Sequence, residues 1–287
     1  MNRNIFATDL HGHIRRYHKL FRIIEADRPE SVFLGGDILP SGFANIASSD
    51  NLYDDFIKDF LAYHFAKLRQ KLKDEYPRVF LILGNDDGRF DEKAIAKYTS
   101  RGLWEYMHNK AVVLKGYHIY GYSYVPPTPF LFKDWERYDV SRYVDPGSIS
   151  PEEGHRSIKV PPNEIKFSTI KEDLDELAGN ENLEKSVFLF HAPPYKTKLD
   201  RAALDGKFVD HVPLDPHVGS IAIKRFIENR QPLLTLHGHI HESTILTGSW
   251  QDRIGKTYSF NAAHHGPELC IIRFDFDDLD SAERELI

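Results

Sequence analysis

Cysteine is nearly absent from this chain: of 287 residues only Cys270 carries a thiol, so no intrachain disulfide can form and no cysteine cluster can hold a metal. Cys270 stands in the apolar run Leu269-Cys270-Ile271-Ile272, which assigns it to a core. An excess of positive charge is also missing. With 37 Lys and Arg against 43 Asp and Glu the formal charge is -6, so no overall basic field draws in nucleic acid, and only a local groove could support such binding. No apolar run approaches the length of a membrane span. The first strand-like run begins too near Met1 to leave room for a signal peptide, so a cytoplasmic location is expected. Internal repeats and low-complexity tracts are lacking. The rest is ordinary globular composition, 41% apolar and 28% charged, sufficient for a sizeable core.

Five short segments carry metal-ligand side chains: Asp9-Leu10-His11, Gly35-Gly36-Asp37, Gly84-Asn85-Asp86-Asp87, His191 and Gly238-His239-Ile240-His241. Each follows a strand-like run, respectively Asn4 to Ala7, Ser31 to Leu34, Arg78 to Leu83, Val187 to Phe190 and Leu233 to Leu236. Groups gathered just beyond strand ends are where open α/β sheets place their sites. Carboxylate, amide and imidazole ligands on rigid supports suit a pair of hard divalent cations. The chain also supplies a control. Asp-x-His recurs at Asp215-Pro216-His217 with no comparable strand before it, so the ordered set of five carries the inference and no single motif does.

Between these motifs, Ile14, Tyr17, Leu20, Phe21 and Ile24 recur at helical spacing and stop at Asp27-Arg28-Pro29. A second amphipathic helix is expected from about Leu52 to Leu72, with shorter ones over Glu92 to Thr99, Glu164 to Leu177 and Ser220 to Asn229. Ala111 to Leu114 and His118 to Gly121 predict an antiparallel pair about Lys115-Gly116-Tyr117, and closing strands are expected near Thr257 to Asn261 and Leu269 to Phe276. The pattern predicts two mixed sheets packed face to face with helices outside. Tyr122 to Pro162 does not fit these layers. Its prolines and aromatics, Trp135 and Tyr138 among them, argue against disorder and for a lid or substrate wall, a structural flap or an oligomer contact.

The order D-x-H, G-G-D, G-N-x-D, H, G-H-x-H resembles the calcineurin-like metallophosphoesterase superfamily from residue 3 to about residue 262. His191-Ala192-Pro193-Pro194-Tyr195 with Thr197, Leu199-Asp200, His217-Val218-Gly219-Ser220 and Leu236 to Ser243 resemble its Icc-related branch of predicted phosphoesterases. The resemblance implies a four-layer α/β-β/α sandwich of two mixed β-sheets flanked by helices, the metallo-dependent phosphatase fold. It implies one domain over 1–287 with an insertion at about 122–162. It also implies two divalent metal ions, manganese first and iron, zinc or nickel as alternatives. One would be held by Asp9, His11, Asp37 and His241, the other by Asp37, Asn85, His191 and His239, with Asp37 bridging.

The reaction so implied is phosphoester hydrolysis, phosphodiesters favoured, by attack of a metal-bound hydroxide. Asn85 can bind metal through its carbonyl and offer its amide to a phosphate oxygen. One departure matters: where much of the superfamily has Gly-Asn-His, this chain has Gly84-Asn85-Asp86, so the imidazole that would protonate the leaving group is missing. Asp86 between two dications favours its ionised form and makes a poor acid, which leaves His13 or another pocket group as donor. Asp87 and His237 are expected to support ligands, and His217 could face an anion at a helix start. A small phosphoester or nucleotide is the expected substrate, with no membrane partner. The competing readings are a nuclease, which the charge balance disfavours, and a noncatalytic metal-binding interaction module on the same fold. Oligomeric state is not legible.

Overall fold

A computed structural model describes residues 3–40 and 53–287. The first half of the chain runs β1 (Asn4–Ala7), α1 (Ile14–Asp27), β2 (Ser31–Gly35), α2 (Tyr63–Leu72), β3 (Arg78–Ile82), α3 (Glu92–Thr99), β4 (Glu105–Tyr106), β5 (Lys110–Leu114) and β6 (Tyr117–Tyr122). The second runs α4 (Pro162–Phe167), α5 (Ile170–Ala178), β7 (Ser186–Phe190), β8 (Phe208–Val209), β9 (Val212–Pro213), α6 (Ile221–Arg230) and β10 (Leu234–His237). It ends with α7 (Ser243–Thr247), β11 (Gln251–Ile254), β12 (Thr257–Asn261), β13 (Cys270–Asp275) and β14 (Asp278–Leu286). Among the described residues no helix is long and apolar enough to cross a membrane.

Two six-stranded mixed sheets result, in the orders β14-β13-β1-β2-β3-β4 and β11-β12-β10-β7-β6-β5, flanked by helices. The central strands read as unbroken apolar runs because both of their faces are covered. Alternate residues divide between two clusters. Phe6, Phe33 and Phe80 of the first sheet share the inner cluster with Leu189, Leu236 and Phe260 of the second. Ile5, Val32, Leu34, Val79 and Leu81 pack in the outer cluster with Tyr17, Leu20 and Phe21 of α1. Helix α1 stops where Arg28 takes a left-handed conformation and its N–H reaches Ile24 O, just before Pro29.

Three local expectations change. Leu52 lies outside the described residues, and the second amphipathic stretch begins as a π-helical Phe56–Ala62 before α2. The expected helix from Glu164 to Leu177 is two helices, because Thr169 leaves helical geometry and its Oγ1 accepts from Glu172 N at 3.2 Å to start α5. Tyr117 is in a strand, not the turn: Leu114 pairs with Tyr117, and Lys115 and Gly116 take φ of 49° and 87° as a two-residue hairpin.

The Pro- and aromatic-rich stretch is built into the fold. Tyr124, Val125, Trp135 and Tyr138 are buried, and Val125 bridges Glu136 while Tyr138 bridges Thr169. The Asp139 carboxylate accepts from the Ser220 hydroxyl at 2.5 Å and from Ile221 N at 2.6 Å, fastening the stretch to the start of α6.

Candidate metal centre

Strands β1, β2 and β3 are parallel neighbours, so the loops bearing Asp9 and His11, Asp37, and Asn85 and Asp86 leave one end of the first sheet. Strands β7 and β10 are parallel neighbours in the second sheet and deliver His191, His239 and His241 in the same way. Backbone hydrogen bonds clamp these loops together. Asp9 N donates to Gly36 O at 3.0 Å, His11 N to Asp37 O at 2.7 Å and Gly238 N to His191 O at 2.9 Å. The two sheets meet where His239 N donates to the Asp9 carboxylate at 3.1 Å.

Four of these residues hold a backbone that side chains disfavour: Asp9, His11, Asp37 and His239 have φ of 55°, 46°, 50° and 71°. Left-handed non-glycine residues cost energy and cluster at functional sites, where the turn is what aims the side chain. The neighbouring glycines leave room for the ligands. A Cβ on Gly36 would stand 2.6 Å from His191 Nδ1, one on Gly84 2.6 Å from His191 Nε2, and one on Gly238 2.6 Å from Asp9 Oδ2.

The side chains gather into three overlapping groups whose ligand atoms lie within 4.8 Å of one another: Asp9, His11 and His241; Asp37, His191 and His239; and His11, Asp37 and Asp86. In the second group His191 Nδ1 donates to Gly35 O at 2.8 Å, which turns Nε2 toward Asp37 Oδ2 and Asn85 Oδ1, each 3.1 Å away. Three atoms bearing lone pairs therefore crowd together, an arrangement that a cation would reconcile. With a proton in that role, burial opposes the charge but Asp37 outweighs it and the imidazole is pushed up to about 10. A divalent ion fits the same donor set. In the first group His241 Nε2 is 3.2 Å from Asp9 Oδ1 and 3.3 Å from His11 Nε2. Burial works against ionisation of Asp9 and Asp37, yet the imidazoles of His241 and His191 hold both carboxyls below the usual range.

Asp86, at the position of the missing imidazole, has its carboxylate 3.4 Å from His11 Nδ1 and its N–H on Asp37 Oδ1 at 2.8 Å. Burial and the charge of Asp37 raise its pKa. His13 is exposed at the start of α1, two residues beyond His11. Asp87 is fully buried and accepts from Leu39 N at 2.7 Å, Gly84 N at 2.9 Å and Ile38 N at 3.2 Å, so it ties the second and third ligand loops together. Burial and Asp37 push its carboxyl well up against the pull of those three donors.

His237 Nδ1 donates to Ala192 O at 2.8 Å while Nε2 accepts from the Thr235 hydroxyl at 2.7 Å. It is a neutral brace for the residue after His191, with burial pushing its pKa down to about 3. His217 pairs through Nδ1 with Asp200 at 2.8 Å, and the second Asp-x-His is a turn in which Asp215 accepts from His217 N at 2.9 Å. Sequence reading missed Arg16, which is buried and donates to Asp9 O at 2.8 Å. Its signal was a charge on the apolar face of α1, one turn before Leu20.

A family described as calcineurin-like phosphoesterase matches residues 3–243. The uncharacterized protein MJ1162 of Methanocaldococcus jannaschii is 35% identical over 107 residues, which are 34% of this chain, and the match spans only 43% of that relative's length. Among solved structures, TT1561 of Thermus thermophilus aligns over 99% of this chain and 97% of its own, with a TM-score of 0.52 and 14% identity. A dimetal phosphatase from Danio rerio aligns over 94% and 92%, with a TM-score of 0.50 and 10% identity. At such identities the likeness to these two structures is one of fold.

Proposed function

Because this chain belongs to the calcineurin-like phosphoesterase family, we propose that it hydrolyses phosphoesters, phosphodiesters foremost, with two divalent ions of which manganese is the first candidate. The observation that carries the reading is the sharing of Asp37 between two of the three ligand groups, one with His191 and His239 and one with His11. A carboxylate so shared can turn one oxygen to each of two cations. When bound, the ions would activate water near neutral pH and offset charge on the phosphoryl oxygens.

The chain's own residues do the positioning. Gly35 O fixes the His191 tautomer, and Asp86 beside His11 Nδ1 turns His11 Nε2 toward His241. Asn85 presents its carbonyl to the His191 side, leaving its amide to donate to a phosphoryl oxygen. With two cations beside it Asp86 would be ionised and a poor acid, so the leaving group departs largely unprotonated unless His13, exposed at the start of α1, or another pocket group donates. Activated aryl diesters should therefore turn over well and alkyl monoesters poorly. The substrate is a small phosphoester or nucleotide.

The test is a metal-titrated assay on 4-nitrophenyl phenyl phosphate with the natural chain, Asp37→Ala and His191→Ala. Metal-dependent turnover that both substitutions abolish supports the reading. Turnover that survives both belongs to a contaminant, and no turnover with any metal leaves the noncatalytic module as the better description.

A further inference from the structure

A cavity of about 900 Å³ opens beside the metal ligands, and Asp86 belongs to both. Leu39 and Pro40, two and three residues beyond Asp37, line it together with Tyr53, Phe56, Phe90, Phe130 and Phe132. This wall is firmly mounted on one side. Phe56 packs on Tyr17 and Phe60 at ring distances of 5.7 and 5.0 Å. Part of the apolar lining is exposed: Phe90 and Phe130 are 62% and 60% exposed, and Leu131 between Phe130 and Phe132 is 51% exposed. Large apolar side chains exposed together on the lining of a cavity mark a binding surface.

Among the described residues, the charged ones lining the cavity are all of one sign: Asp54, Asp55, Asp86 and Asp91. Crowding shows at Asp91, where burial and then the charge of Asp55 push the carboxyl up to about 6. Four carboxylates repel a ligand arm that carries further negative charge, while aromatic walls reward apolar area.

Resting on the phosphoesterase reading, we propose that this cavity is the subsite for one ester arm of the substrate, an aromatic or otherwise apolar alcohol without negative charge. A nucleoside or aryl alcohol meets that description. A polynucleotide, with a phosphate on each side of the scissile one, does not.

The experiment has two parts. In the first, kcat/KM is measured with manganese for 4-nitrophenyl phenyl phosphate, 4-nitrophenyl methyl phosphate and 4-nitrophenyl carboxymethyl phosphate, which share a leaving group and differ in the second arm. The phenyl ester should exceed the methyl ester at least tenfold and the carboxymethyl ester should be the poorest. Phe130→Ser and Phe90→Ser, both at exposed positions, should each cut the phenyl-to-methyl ratio at least fivefold, and Asp54→Asn should raise the carboxymethyl ester relative to the methyl ester. In the second part, the metal-free protein is titrated with N-phenyl-1-naphthylamine, whose fluorescence should rise on binding and rise several-fold less with Phe130→Ser. If no ester is turned over but the amine binds and Phe130→Ser weakens it, the cavity stands as an apolar site and the phosphoesterase reading is what fails. Metal-dependent turnover with a phenyl-to-methyl ratio near one, unmoved by either substitution, overturns the subsite. So does a chain whose self-association Phe130→Ser abolishes while the ester ratio stays fixed, since a second copy would then be the occupant.

Discussion

Gly84→Ala adds one methyl group at the centre of the ligand cluster. Its Cβ would stand 2.6 Å from His191 Nε2, well inside the 3.4 Å at which ordinary contact begins, and closer still to Asp37 Oδ1. Neither neighbour can yield freely: His191 is held by Gly35 O at 2.8 Å, and the Asp37 backbone carbonyl by His11 N at 2.7 Å. Overpacking of this kind costs about 1–3 kcal/mol in the metal-free protein. Displaced ligands should weaken metal binding by about 100-fold or more, since changes to ligand support alone reach that range, which is about 2.8 kcal/mol. At a metal concentration about 100 times the wild-type Kd, each ion bound stabilises the wild type by about 2.7 kcal/mol and the variant by only about 0.4 kcal/mol. For a chain of this size that is a rise in Tm of roughly 5 °C against roughly 1 °C. Calorimetric titration with manganese and melting curves with and without the metal measure both quantities. A variant that binds two equivalents at the wild-type Kd would refute the crowding argument.

His241→Ala should remove one ion and spare the other, because Asp37, His191 and His239 form a group without it. Elemental analysis of desalted, metal-loaded protein should fall from two equivalents to one, and loss of both would mean the groups do not act separately. Asp86→His restores an imidazole where relatives of the superfamily pattern carry it. It should raise turnover of alkyl esters relative to aryl esters, at least fivefold by steady-state kinetics, and an unchanged ratio would show that another group already serves as acid. Burial, aided by Arg89, Arg137 and Lys110, pushes His108 down to about 3, whereas the unfolded imidazole titrates near 6.5. The unfolded chain therefore takes up a proton that the folded one refuses. Stability contributed above pH 6.5 is lost as pH falls toward 3, by up to about 1.4 kcal/mol per pH unit. His108→Asn keeps an acceptor for Ser123 N, which His108 Nδ1 receives at 3.2 Å, and should lose less between pH 6.5 and 4.5 by urea unfolding. Equal losses in the two proteins would contradict this.

The strands that carry ligands were legible because burial on both faces makes them continuous apolar runs, and the ligand motifs sit directly after them. Strand β14 was not, since its sequence Asp278–Leu286 is charged and mostly exposed at the sheet edge, where no apolar alternation is required. The break between α4 and α5 hid inside a continuous helical period, because only the cap at Thr169 ends it. The side chains that could hold a metal were legible as candidates; what supports them was mostly not. Arg16 and Asp139 act through backbone groups that no motif marks, as when Asp139 accepts from Ile221 N, 82 residues further on, at 2.6 Å. Left-handed backbone at Asp9, His11, Asp37 and His239 had no sequence signature, since the residue types are dictated by chemistry and not by conformation.

Because Asp9, His11, Asp37 and Asn85 ride on one sheet and His191, His239 and His241 on the other, the separation of the two half-sites is set by how the layers seat against each other. The phenylalanines between them, Phe6, Phe33, Phe80 and Phe260, thus act as a distant gauge of how closely the side chains of each group approach one another. A smaller side chain there would let the halves slide, and the loss would be felt as altered affinity for ions that none of those rings touches.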